Sequence, residues 1–232
     1  SYASSTTYVT GMAVVKTCET LRKKICERGA EYLGCSPDDV EFDGEKVVNL
    51  KTKEEITRKE IGNKVMCSSN APLSATEAFS SPVSPPPFMV GIAEVEIDKE
   101  TGVVEPIDYA AVVDCGTVVN PNLARVQTEG GIAQGIGMAL YEDIIYSEKG
   151  KNYSNSFMQY KIPSRLDVGE IRVEFESSYE PTGPFGAKSI GEIVINTPSP
   201  AISNAVQNAV GVIVRELPIT AEKVYKGMAE KE

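Results

Sequence analysis

Residues 127–140 read Gln127-Thr128-Glu129-Gly130-Gly131-Ile132-Ala133-Gln134-Gly135-Ile136-Gly137-Met138-Ala139-Leu140. Leu123, Ile132, Ile136 and Leu140 recur at helical spacing, so the segment predicts a helix. It also carries four glycines, and each weakens a helix by about 1 kcal/mol relative to alanine. Glycine at that density belongs where something comes very close to the helix backbone. Two occupants satisfy that demand: a sheet packed tightly on the helix, or a flat or phosphorylated ligand.

The rest of the chain supplies the neighbours. Val14, Cys18, Leu21 and Ile25 form a helical stripe, with Gly29 and Gly34 punctuating its end. Val40 to Phe42, Asp43-Gly44 and Val47 to Leu50 read as a small hairpin, because Asp-Gly suits a tight turn. Residues 51–64 are charged and predict a short surface helix. The stretch 71–88 holds five prolines and several serines, an extended linker or surface loop where a subdomain boundary is expected. Val90, Ile92, Val95 and Ile97 alternate as a strand; residues 98–102 turn, and 103–113 return as its antiparallel partner. Ile171, Val173 and Phe175 give another strand, and residues 181–192 a glycine-rich loop. Ala201 to Val210 is a helical stripe ending at Gly211, and Pro218 and Thr220 open a last short helix. Hairpins mixed with helices, without regular strand–helix alternation, predict an α+β fold of antiparallel or mixed sheets with packed helices.

Composition narrows the chemistry. The 232 residues contain no histidine and no tryptophan. A Ser-His-Asp or Cys-His nucleophile and a histidine-ligated metal are therefore excluded for this chain alone. Acid–base work at neutral pH falls to Glu, Asp, Lys, Tyr, Cys or a cofactor. A net charge of −10 without a long basic run argues against nucleic acid. No apolar stretch is long enough for a membrane span. The five cysteines include no Cys-x-x-Cys pair, which disfavours a disulfide framework and an iron–sulfur or zinc site, and makes each a small buried apolar residue in a cytoplasmic setting. The start has no initiator Met and no signal-peptide pattern, as expected of a processed, trimmed or subcloned piece.

Three polar segments are candidates for chemistry. Tyr2-Ala3-Ser4-Ser5-Thr6-Thr7 precedes a helix, where N–H groups and hydroxyls suit an anion or simply cap the helix. Gln127 to Gly137 combines an amide with both donor and acceptor and glycines that leave the backbone open. Gly183-Pro184-Phe185-Gly186-Ala187-Lys188-Ser189-Ile190-Gly191-Glu192 ends a glycine-rich loop on a carboxylate. Were Glu192 to point into an apolar cavity, desolvation would make it a usable base near neutrality.

Together with Val112 to Pro121 and Leu217-Pro218-Ile219-Thr220, these segments resemble, in order and spacing, the C-terminal half of the molybdopterin-binding subunit of the molybdenum hydroxylases, a family including xanthine dehydrogenase and aldehyde oxidoreductase. The resemblance covers essentially the whole chain, 1–232. It implies oxidation of an aldehyde or N-heterocycle with water-derived oxygen. The implied cofactor is molybdopterin carrying molybdenum, often as the cytosine dinucleotide in bacterial members, with no metal ligand from the protein. By the same resemblance Glu192 falls on the catalytic base that deprotonates Mo–OH, hydride passing to a sulfido ligand. Gln127 falls on a cofactor-binding glutamine; Ala3, Ser4, Ser5 and Thr6 fall on a segment lining the pterin; Gly191 sits beside the metal. Ser189 and Val126 depart from the family, standing where glycine is common.

The resemblance also implies partners: the N-terminal half of the molybdenum subunit, an iron–sulfur subunit and a flavin (FAD) subunit in a hetero-oligomer, acting on a small molecule. The alternatives are a non-catalytic assembly or interaction module and an inert fragment of the larger subunit.

Overall fold

The computed structural model describes residues 4–68 and 72–230. The chain divides into two compact units, one formed by residues 7–82 and the other by 1–6 with 83–232.

A single π-helical turn, Thr6–Thr10, leads into helix α1, Gly11–Leu33, of the smaller unit. The antiparallel strands β1 (Val40–Phe42), β2 (Lys46–Asn49) and β3 (Glu55–Thr57) form a sheet in that order. Helix α2, Arg58–Met66, follows behind a capping box in which Thr57 and Glu60 satisfy each other's backbone N–H groups. Ile25, Val47, Ile56, Ile61 and Val65 form the core. The Asp43 carboxylate accepts from the N–H groups of Glu45 and Lys46, which tightens the predicted turn.

Several expectations for this unit need correction. Gly29 does not end α1; it lies inside it, where a Cβ would stand 2.7 Å from Val47 Cγ1, so its absence lets β2 approach the helix. Gly34 is the true cap, in the left-handed conformation. Residues 51–64 are a turn, strand β3 and most of α2 rather than one helix. Val14 and Cys18 are exposed, so only the later part of the predicted stripe reaches this core. Cys67 is also exposed, Cys26 and Cys35 are half-buried, and Cys115 alone fits the buried, apolar expectation.

In the larger unit β4 (Phe88–Ile97) pairs antiparallel with β5 (Val104–Asp114), with a bulge between Glu94 and Val95. Helix α3 (Pro121–Leu140) follows, capped by the Asn120 side chain. The chain then returns as β6 (Glu170–Phe175), parallel to β5. Helices α4 (Ile193–Asn196), α5 (Pro198–Val210) and α6 (Ala221–Ala229) complete the unit. The sheet's buried side supplies Tyr109, Ala111 and Val173 to a core shared with Ile132, Ile136 and Leu140 of α3 and Ile202 and Val206 of α5. The alternate positions Phe88, Val90, Ile92 and Val112 are exposed.

The glycines of α3 divide by face. A Cβ on Gly131 would lie 2.1 Å from Val194 Cγ2, and one on Gly135 would lie 2.6 Å from Pro198 Cγ. The close neighbours are therefore α4 and the start of α5. Gly130 meets nothing within 4 Å.

Candidate functional site

Helix α3 presents Gln127, Gly130 and Gln134 outward, at spacings of three and four residues that place them on one face. The segment that ends in Gly191 and Glu192 passes across that face. Together with Val126, Gly131 and Ile195 these residues line a cleft of about 410 Å³. Glu192 is the single charged residue in the lining among the described residues.

Local contacts join the two sides. Gln127 Nε2 donates to the Gly191 carbonyl at 3.2 Å. Ser4 Oγ donates to Glu192 Oε2 at 3.1 Å. Gly191 permits the latter contact, because a Cβ there would stand 2.9 Å from Ser4 Oγ. Ser4 has a φ of 55°, the left-handed region that a serine seldom occupies. Val194, two residues after Glu192, anchors α4 on α3 and is fully buried.

The loop before Glu192 is tied to the turn after β5. Thr117 N–H donates to the Gly186 carbonyl at 2.9 Å, and Lys188 N–H donates to the Cys115 carbonyl at 2.8 Å. Gly186 has a φ of +88°, and its missing Cβ leaves room for the Tyr179 ring. Burial pushes the Cys115 thiol up, so it stays a neutral apolar group behind the site.

Of the predicted site residues, Ser4, Gln127, Gly191 and Glu192 come together here. Ala3 lies outside the described residues. Ser5 and Thr6 follow Ser4 in the chain and are not among the residues lining the cleft. Glu192 is exposed, so the apolar enclosure proposed for it is not supplied by this chain's described residues. Val126 is exposed and lines the cleft, and Ser189, half-buried, is not among the lining residues. Gly130 and Gln134 lie inside the candidate segment 127–137 but are not singled out there as site residues. Their helical spacing from Gln127 was the available signal.

Among the described residues no group of three or more His, Cys, Asp or Glu is arranged to hold a metal ion. No described helix is long and apolar enough to cross a membrane.

Comparison with known proteins defines the class. Residues 1–169 match the family model of a molybdopterin cofactor-binding domain. The "Probable hypoxanthine oxidase XdhD" of Escherichia coli (strain K12) is 35% identical over 233 residues, covering 98% of this chain and 24% of that protein. The 6-hydroxypseudooxynicotine dehydrogenase complex subunit gamma of Paenarthrobacter nicotinovorans is 30% identical, covering 97% of this chain and 30% of its own length. Among solved structures, quinoline 2-oxidoreductase from Pseudomonas putida 86 superposes with a TM-score of 0.85 at 26% identity, over 99% of this chain and 31% of that one. The chain belongs to the molybdenum hydroxylase family, in its molybdopterin cofactor-binding region. It spans about a quarter to a third of the length of these relatives.

Proposed function

We propose that this chain supplies one wall of a molybdopterin site, together with the proton acceptor, of an enzyme that oxidises an aldehyde or N-heterocycle with oxygen from water. One observation carries the reading: the Gln127 amide, the Gly191 backbone and the Glu192 carboxylate border a single cleft. The fit to the cofactor rests on the same cleft. Gly130 leaves its α3 wall open, since an added Cβ there meets nothing. Amides and small residues suit a polar, flat group that brings its own metal ligands.

When bound, the molybdenum cofactor supplies two-electron oxidation and oxygen transfer. The chain's residues do the rest. Gln127 donates through Nε2 while its amide oxygen accepts, so it orients a ligand that offers both. Glu192 takes up a proton at a carboxylate oxygen, and the Ser4 hydroxyl, donating to Oε2, leaves Oε1 turned to other partners. Gly191, with no Cβ, leaves the room that the Ser4 side chain takes beside Glu192.

The remaining molybdenum-subunit segments would enclose Glu192, and iron–sulfur and FAD subunits would carry electrons away. The exposed apolar sheet positions Phe88, Val90, Ile92 and Val112 support a chain that is covered by further protein. The cofactor is proposed as the plain pterin or its cytosine dinucleotide, and the setting as cytoplasmic.

Glu192→Gln in the complete enzyme tests the assignment. Turnover should fall by about 10²- to 10⁴-fold, with molybdenum per subunit unchanged. Normal turnover in that variant would remove Glu192 from the chemistry.

A further inference from the structure

We propose that Asp114 and Lys188 are a positioning pair that sets where the Glu192 carboxylate stands in the cleft; the inference rests on the reading of Glu192 as proton acceptor. Lys188 is the one buried charged side chain among the described residues, 8% exposed. Its ammonium lies 2.7 Å from Asp114 Oδ2 and 5.4 Å from the centre of the Phe88 ring. Asp114 sits at the last position of β5. Its carboxylate also accepts from Ser178 Oγ at 2.6 Å and from Gly116 N–H at 2.9 Å. Burial pushes the Asp114 carboxyl up, yet Lys188, Ser178 and the Gly116 N–H outweigh it and hold it below its ordinary value.

The location of the pair gives it a role beyond cohesion. A buried ion pair is weak evidence for stability, since apolar replacements often serve as well. What a fixed, hydrogen-bonded pair does provide is a single register. Lys188 stands four residues before Glu192, and its own N–H and side chain both bind the end of β5, through Cys115 O and Asp114. Beyond it, among the described residues, Gly191 and Glu192 accept exposed side-chain hydrogen bonds from Gln127 and Ser4. Exposed contacts of that kind fix little on their own. The stiff reference for Glu192 is therefore on its N-terminal side the buried pair and on its C-terminal side Val194 against Gly131.

The test uses the complete enzyme that contains this chain. The double variant Asp114→Asn/Lys188→Met removes both charges at once, so no unpaired charge stays buried and the fold is kept. Hydrogen exchange read by mass spectrometry should be at least tenfold faster in residues 186–192 and unchanged elsewhere. Molybdenum content should stay within twofold of wild type. With hypoxanthine, quinoline and benzaldehyde as probe substrates, kcat should fall at least tenfold while KM stays within threefold. Lys188→Arg, which keeps the charge, should hold kcat within threefold of wild type. Unchanged exchange in 186–192, or an unchanged kcat in the double variant while Glu192→Gln abolishes turnover, overturns the pair. Wild-type activity that survives Glu192→Gln overturns the reading of Glu192 instead, and the exchange result still decides the pair's anchoring of the loop.

Discussion

Replacing Gly131 by alanine adds a methyl group 2.1 Å from Val194 Cγ2 and 2.9 Å from its Cβ. Val194 is fully buried, so it has no empty space to enter. Overpacking of a filled core costs typically about 1–3 kcal/mol, against a helix-propensity gain of about 1 kcal/mol for Gly→Ala. The net expectation is a loss of up to about 2 kcal/mol. Gly130→Ala is the matched control one residue away: its methyl meets nothing within 4 Å, so it should be neutral or stabilise by up to about 1 kcal/mol. The two variants should therefore differ by about 1–3 kcal/mol in urea unfolding of the polypeptide followed by circular dichroism. They should differ in function as well. Gly131→Ala displaces α4 and with it Glu192, whereas Gly130→Ala narrows the cleft and should lower cofactor occupancy without loosening the fold. Equal shifts of the two unfolding midpoints would refute the assignment of the α3 faces.

Thr57→Ala removes the hydroxyl that accepts from the Glu60 N–H in the α2 capping box, while the backbone N–H at position 57 still donates to the Glu60 carboxylate, and urea unfolding should report a loss of about 1 kcal/mol. Ile132→Ala, at a fully buried core position, should cost about 2–5 kcal/mol by the same measurement. Asp114 adds a pH dependence. Its folded carboxyl titrates below its unfolded one, so its contribution is complete above the unfolded value of about 3.9 and is lost as pH falls through the lower folded value. Acid unfolding of Asp114→Asn should accordingly depend less on pH in that window.

Much of this was legible because local pattern and tertiary demand agree. Alternation fixed the β4–β5 hairpin, with Asp98 accepting from Thr101 and Glu100 in its turn. Gly211 marks the end of α5 in the left-handed conformation, as a helix-capping glycine should. The glycine density of α3 foretold a close neighbour, and helices α4 and α5 proved to be that neighbour on one face while the cleft opens on the other. What stayed hidden depends on contacts far apart in sequence. Gly29 reads as a helix stop until Val47 is seen against it. Residues 55–57 are too short and too charged to read as a strand, and pairing with β2 makes them one. The Ser4–Glu192 contact joins residues 188 positions apart; no local pattern encodes it. The parallel pairing of β6 on β5 likewise follows from the crossover through α3, not from the residues of β6.

The cleft between the outward face of α3 and the Gly191-Glu192 segment is proposed to receive a molybdenum cofactor. Anomalous diffraction at the molybdenum edge, from crystals of the native enzyme containing this chain, tests it most directly. One strong peak per copy of the chain is expected, at the cleft lined by Gln127, Gly191 and Glu192. A peak elsewhere in the enzyme, or a cleft closed by protein side chains with no peak, would contradict it.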